Sequence, residues 1–251
     1  MSAVSLAGLR VLLTRPDGEG THEWSRSLLS AGAIPVAYPT IVTAAPERWD
    51  EVDAAAAHLG DYDWLIFTSQ TAVAFLIGRL AGRCFPEHLP ARIAAVGSKT
   101  AASVEAAGGS VAVVPAEQWQ EGLVRSLDHL PPGTRVLLPM AAGGRTHLAE
   151  ALRAQGCAVD VVTVYRTLPK RDLPPPPSFD VATFASPSAL HAFIAGPGSQ
   201  ALANKLVAVI GTSTAEAAVV HGLRPWVARS PSADGLIHAI AEARLAAQGG
   251  P

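Results

Sequence analysis

Trp64-Leu65-Ile66-Phe67, followed by Thr68-Ser69-Gln70-Thr71-Ala72-Val73, is a short run of large apolar side chains that ends in hydroxyls and opens a helical pattern. An apolar run without polar alternation reads as a strand buried on both faces. That is the mark of a parallel sheet covered by helices. The device recurs. Phe67-Thr68-Ser69-Gln70-Thr71-Ala72-Val73 matches Phe184-Ala185-Ser186-Pro187-Ser188-Ala189-Leu190, and Ala95-Val96-Gly97-Ser98-Lys99-Thr100-Ala101 matches Val209-Ile210-Gly211-Thr212-Ser213-Thr214-Ala215. Glu121-Gly122-Leu123 matches Asp234-Gly235-Leu236, and the three offsets are 117, 114 and 113 residues. A period that long is no solenoid. It predicts two similar α/β domains with a cleft between them.

Further apolar runs extend the pattern on both sides. Strands are expected at 9–13, 34–38, 93–96, 111–114, 135–138, 159–165, 181–184, 206–210 and 225–228, and a helix over 21–31 that closes on Gly32. Strand–helix alternation throughout means an α/β architecture with parallel sheets. The proline tract 174–177 reads as a stiff, exposed connector that marks a crossing between domains.

The chain has 251 residues, 19 basic and 21 acidic, for a net charge of −2, so a globally basic nucleic-acid binder is excluded. With 49% apolar and 16% charged residues it is not an acidic disordered chain either. An anionic ligand must therefore be held by local groups rather than by the overall field. Cys84 and Cys157 are the only cysteines. They make neither a disulfide framework nor a Cys-rich metal site, and read as reduced, semi-buried small hydrophobes. Residues 1–8 carry no basic residue ahead of their apolar part, so they do not read as a signal peptide. No apolar run approaches the length of a membrane span. The expectation is a soluble, cytoplasmic protein, monomeric by default, with no nucleic-acid or membrane partner.

Three motifs lead nowhere. Gly196-Pro197-Gly198-Ser199-Gln200-Ala201 fits a dinucleotide pattern, but it follows a helical pattern and precedes a strand, which is the wrong order. Gly97-Ser98-Lys99-Thr100 resembles the tail of a phosphate loop without the upstream glycine spacing. Gly211-Thr212-Ser213-Thr214-Ala215 sits where a nucleophile elbow would, yet His221 is only eight residues on, in or just after the same helix. There is no H-E-x-x-H and no C-x-x-C, and the eight histidines are scattered. No metal site and no cofactor are expected.

What remains is a set of hydroxyl-rich turns: Thr68-Ser69, Ser98-Lys99-Thr100, Ser186-Pro187-Ser188 and Thr212-Ser213-Thr214. Each follows a buried strand and opens a helix. In parallel sheets such turns line the crevice at the carboxyl ends of the strands. Free helix N–H groups and added hydroxyls suit them to carboxylates or phosphates. The plainer reading is that the hydroxyls only cap helices. Arg15 and Arg145 also follow strands, where a guanidinium either reaches a carboxylate or stays a surface charge. Tyr165, in Val164-Tyr165-Arg166-Thr167, stands at the end of a strand. It is either an amphipathic plug or, if it points into the cleft, a phenol able to give a proton to a leaving group.

Together these residues resemble the uroporphyrinogen-III synthase family over nearly the whole chain. The resemblance rests on Val11-Leu12-Leu13-Thr14-Arg15-Pro16, Phe67-Thr68-Ser69 with Ala72-Val73, Val96-Gly97 with Thr100-Ala101, and Gly144-Arg145 with Leu148, Leu152 and Gly156. It continues through Val164-Tyr165-Arg166-Thr167, Phe184 with Ser186-Pro187-Ser188, and Ile210-Gly211 with Thr214-Ala215. Each piece is weak alone, and their order and spacing are specific. Thr71 stands where the family often has Asn, and Gly211-Thr212-Ser213-Thr214 where it often has Gly-Pro-Thr-Thr. Hydroxyl chemistry survives at the second site.

The resemblance implies two parallel-sheet domains of the Rossmann or flavodoxin type. The first takes 1–40 and 171–251, the second 44–163, with linker strands at about 37–43 and 163–170. It implies a cofactor-free, metal-free cyclisation of hydroxymethylbilane, a linear tetrapyrrole with eight carboxylates. Water is lost and the last pyrrole is inverted through a spiro intermediate. It places Tyr165 as catalytic residue, and Arg15, Thr68, Ser69, Ser98, Lys99, Thr100, Arg145, Ser186, Ser188, Thr212, Ser213 and Thr214 as substrate-binding residues. The competing readings are a non-catalytic two-lobed module that binds a tetrapyrrole or another polyanion, and a nucleotide-dependent α/β enzyme. The missing phosphate loop argues against the latter.

Overall fold

The structure is a computed structural model, and it describes residues 5–16, 18–81 and 92–248. Ten strands and nine α-helices are assigned among them. In chain order they are β1 (Arg10–Leu13), α1 (Glu19–Ser30), β2 (Ile34–Ala37), β3 (Ile41–Ala44), α2 (Asp50–Ala57), β4 (Trp64–Phe67), α3 (Gln70–Leu80), β5 (Arg92–Ala95), α4 (Ser98–Ala106) and α5 (Gln120–Ser126). There follow β6 (Arg135–Ala141), α6 (His147–Ala154), β7 (Ala158–Pro169), β8 (Val181–Phe184), α7 (Pro187–Ala195), β9 (Leu206–Ile210), α8 (Thr212–Val220), β10 (Trp226–Ala228) and α9 (Ala233–Gln248).

Contacts divide the chain into two units. One is Met1–Thr43 with Thr167–Pro251; the other is Ala44–Arg166. The repeat alone would suggest a single contiguous cut, yet the first strand and helix pack with the C-terminal half. Both boundaries fall inside strands, β3 and β7. The proline tract lies within the first unit, not at a crossing, and the Pro174 carbonyl accepts a 2.5 Å bond from the Tyr38 hydroxyl.

The first unit holds a sheet of order β10-β9-β8-β1-β2, parallel throughout. Its strands alternate between two cores. Leu12, Ala182, Phe184, Val207 and Val209 face one; Val11, Leu13, Val181 and Ala208 face the other. Two covered faces explain why the runs are continuously apolar: period-2 alternation has no solvent side here. Phe193 on α7 ties the first core together, meeting Tyr38, Phe179 and Phe184 edge-on at 5.9, 6.5 and 5.6 Å between ring centres.

The second sheet has the order β3-β7-β6-β4-β5; β6, β4, β5 and most of β7 belong to the second unit and run parallel. Leu65, Phe67, Ile93, Leu137, Val162 and Val164 face one core. Trp64, Ile66, Ala94, Val136, Leu138, Met140 and Val159 face the other. The strand expected at 111–114 reduces to a single bridge between Ala94 and Val113. The segment still bonds to β5, the Ala112 N–H donating to the Ile93 carbonyl at 2.8 Å and the Ala95 N–H to the Val113 carbonyl at 2.9 Å, and Pro115, with no N–H, follows directly. Cys157 is buried and free, and burial pushes its thiol up; Cys84 lies outside the described residues.

The repeat has a physical counterpart. A Cβ on Gly122 would strike the Glu117 carbonyl, and one on Gly235 the Ser230 carbonyl. Both carbonyls lie five residues earlier. The same loop therefore wraps the first turn of α5 and of α9, and only glycine leaves room for it.

Candidate functional site

In the second unit, the C-terminal ends of β4, β5 and β6 feed α3, α4 and α6, so their turns share one sheet edge. Ser69 is the N-cap of α3, and its hydroxyl oxygen accepts from the Ala72 N–H at 3.0 Å. Ser186 does the same for α7, accepting from the Ala189 N–H at 3.3 Å. In these two turns the capping role is real. The other pair differs. Gly97 and Gly211 occupy the N-caps of α4 and α8 with no side-chain bond, so Ser98 and Thr212 are the first helical residues. Gly211 has φ +77°, where a side chain would be strained.

The Ser98 turn is already engaged. Gln118 Oε1 accepts from the Ser98 N–H at 3.0 Å and from its hydroxyl at 3.2 Å. Gln118 thus caps α4 from twenty residues away, a role that no local sequence signal carries. Thr100 and Thr214 are buried, at 5% and 1% exposure, so their hydroxyls lie beneath the turns rather than on them. Lys99, Ser188, Thr212 and Arg145 are exposed; Thr68, Ser186 and Ser213 are half-buried.

Arg15 follows β1 in the first unit. Its guanidinium lies 4.4 Å over the Trp24 ring. Burial lowers its pKa from the ordinary arginine value while Glu23 opposes the shift. Below it, Thr14 donates to the Thr183 carbonyl and Thr183 to the Leu12 carbonyl, both at 2.7 Å. Those buried hydroxyls tie the ends of β1 and β8 together.

Tyr165 does not end its strand, because β7 runs four residues farther, to Pro169. The register between β6 and β7 shifts there: Met140 pairs with Thr163, but Ala141 pairs with Tyr165, leaving Val164 as an extra residue. Alternation alone would put Tyr165 on the face of Val161 and Thr163. The bulge moves it to the opposite face, with Val162 and Val164. The Ala142 N–H donates to the Tyr165 carbonyl at 2.8 Å just beyond the bulge. The ring stacks on Phe75 of α3, centres 5.7 Å apart and planes 17° from parallel. The phenol oxygen lies 3.4 Å from Ser69 Oγ. Arg166 points elsewhere, bonding to the Ala45 carbonyl at 3.1 Å and to Glu47 at 2.5 Å.

The second unit therefore brings Tyr165 to Ser69 with Phe75 behind it. Phe75 and Gln118 were not among the residues expected from sequence. Among the described residues no three His, Cys, Asp or Glu side chains gather as metal ligands. No described helix is long and apolar enough to cross a membrane.

Residues 22–238 match the family model described as uroporphyrinogen-III synthase HemD. The uroporphyrinogen-III synthase of Synechococcus elongatus is 35% identical over 169 residues, covering 66% of this chain and 64% of that protein. The porphyrin biosynthesis protein HemD of Ruminiclostridium josui is 26% identical over 94% of this chain, which spans 49% of its length. The chain therefore spans less than two-thirds of the length of either relative. The solved structure of uroporphyrinogen-III synthetase from Helicobacter pylori aligns with 94% of this chain and 100% of its own, with a TM-score of 0.65 at 17% identity. At that identity the likeness is one of fold.

Proposed function

The chain belongs to the uroporphyrinogen-III synthase family, and from that premise we propose that it closes hydroxymethylbilane into uroporphyrinogen III, losing water and inverting the last pyrrole ring. The observation that carries the reading is the half-buried Tyr165 phenol at the edge of the strand-end turns, with Phe75 against its ring and Ser69 beside its oxygen.

Tyr165 gives its proton to the departing hydroxyl. The carbon–oxygen bond breaks, water leaves, and a pyrrole nitrogen lone pair stabilises the azafulvene cation. The substituted carbon of the last pyrrole attacks that cation to form the spiro intermediate. Fragmentation and reclosure at the free α-carbon follow, and the proton lost on rearomatisation restores the phenol. General acids are worth about 10²–10⁴-fold.

The substrate also closes without enzyme to the symmetrical type I isomer. The protein must favour the spiro route by binding its transition state more tightly. Holding the bilane by its carboxylates supplies the orientation. Thr68, Lys99 and Arg145 in the second unit, and Arg15, Ser186, Ser188, Thr212 and Ser213 in the first, are the groups that can donate to carboxylates; Ser98, whose N–H and hydroxyl both donate to Gln118, joins them only by exchanging that partner. Thr100 and Thr214 support the turns from below. We read the protein as a monomer working in the cytoplasm; its two-cysteine composition suits a reducing compartment.

An isomer assay tests the reading. Hydroxymethylbilane is incubated with and without the protein, the products are oxidised, and type I and type III uroporphyrins are separated. Predominant type III with protein is expected. Type I in both samples, from folded protein, overturns the enzyme reading and leaves a binding module.

A further inference from the structure

We propose that Ser69 is a positioning residue for the Tyr165 phenol: its oxygen caps α3 while its proton is donated to the phenol oxygen. The inference rests on the reading of Tyr165 as the proton donor.

A serine hydroxyl has one proton and two lone pairs. The Ala72 N–H takes one lone pair at 3.0 Å, which fixes the oxygen over the first turn of α3. The proton is then free to point outward, and Tyr165 Oη lies 3.4 Å away. Both side chains are half-buried. Phe75 holds the ring from the same helix. One helix thus constrains the phenol twice, by its face and by its oxygen.

The 3.4 Å separation exceeds the usual O–H···O range of about 2.5–3.0 Å. Catalytic hydrogen bonds are commonly long in the resting enzyme and tighten in the reacting complex. The direction of donation matters. If Ser69 donates, the phenol keeps its own proton for the leaving hydroxyl. The same donor stabilises the negative charge that develops on the phenol oxygen as that proton departs. Ser69 therefore acts through Tyr165 rather than on a substrate carboxylate.

Ser69→Ala, Ser69→Thr, Tyr165→Phe and the Ser69→Ala/Tyr165→Phe double variant of the full chain are assayed with hydroxymethylbilane for kcat, KM and isomer ratio. In parallel, the Tyr165 Cζ resonance is followed by carbon NMR; with three tyrosines in the chain it is assigned by its loss in Tyr165→Phe. Ser69→Ala is expected to lower kcat about three- to tenfold, the worth of one hydrogen bond, with less change in KM. Ser69→Thr recovers most of the loss and restores the resonance that Ser69→Ala shifts. In the Tyr165→Phe background Ser69→Ala costs nothing more, because the two residues act as one unit. Losses that multiply in the double variant overturn the positioning role and leave the acid role of Tyr165 standing. A Tyr165→Phe loss below tenfold overturns the acid reading itself; a resonance that still shifts in Ser69→Ala then supports Ser69 as the residue that holds the ring. An unshifted resonance in Ser69→Ala overturns the proposal whatever the kinetics.

Discussion

Tyr165 stacks on Phe75 because Val164 is an extra residue in β7. Without that insertion the tyrosine would alternate onto the face of Val161 and Thr163, away from α3. A one-residue change of register moves every later side chain across the sheet. Here it delivers one phenol to the N-cap of a helix and leaves the strand otherwise regular. Bulges often re-aim side chains next to active sites, and this one aims the phenol that we propose as the proton donor.

Tyr165→Phe separates packing from chemistry. Phenylalanine keeps the ring against Phe75, so the melting temperature should change little, since the 3.4 Å contact with Ser69 is a weak one. The turnover number at saturating substrate should fall by at least about tenfold, the low end for a lost general acid being nearer a hundredfold. Steady-state kinetics on freshly prepared bilane, with a thermal melt of the same sample, checks both halves.

A second tyrosine gives a prediction about pH. The Tyr62 hydroxyl donates to Asp160 Oδ2 at 2.7 Å, and burial, with that bond adding to it, raises its pKa to about 12. The unfolded phenol titrates near 10. Below that value both states hold the proton and the stabilisation is fully present. As pH rises from about 10 toward 12 the unfolded chain gives up its proton first, so stability falls. Melting temperatures of wild type and Tyr62→Phe, measured across this window, should converge. Curves that stay parallel would mean the hydrogen bond with Asp160 is not maintained.

The fold was legible where the physics is local and repeated. Strands 64–67, 181–184 and 206–210 are bounded as their apolar runs are, because a strand covered on both faces must be apolar or, as at Thr183, spend its hydroxyl on a backbone carbonyl. The four hydroxyl turns open helices for the same local reason. Their division into capping serines and residues behind glycine N-caps does not come from the backbone at α3 and α4, since Ser69 and Gly97 are both extended; it depends on which residue each helix starts from, which the hydroxyls alone do not show. Gln118 reaches Ser98 across twenty residues, and the bulge at Val164 leaves no mark in an apolar run. Non-local contacts of this kind decide which candidate hydroxyls are free to meet a ligand.

Gln118→Glu tests what the α4 turn is for. A carboxylate placed on the Ser98 N–H should complement the helix dipole and stabilise the fold by about 0.3–1 kcal/mol. The same charge repels a substrate carboxylate that uses Lys99 and the Ser98 turn, so KM should rise. A higher melting temperature with an unchanged KM would show that no substrate carboxylate is held there.

Gly122→Ala and Gly235→Ala test whether the repeated loops are built alike. In an open helix, alanine in place of glycine stabilises by about 1 kcal/mol. Here the new methyl group meets the Glu117 carbonyl in one case and the Ser230 carbonyl in the other, both of them backbone. Backbone cannot turn aside as a flexible side chain does, so the loop before each helix must move. Overpacking of this kind costs about 1–3 kcal/mol, which exceeds the propensity gain. Both variants should therefore melt lower than wild type. Ser230 also bonds to Ser232, whose oxygen accepts from the Gly235 N–H at 3.0 Å, so Gly235→Ala disturbs a cap as well as a loop. The larger loss is expected at Gly235, and chemical denaturation of the two variants side by side measures the difference. A rise in stability at either position would mean that its loop does not wrap the helix in solution.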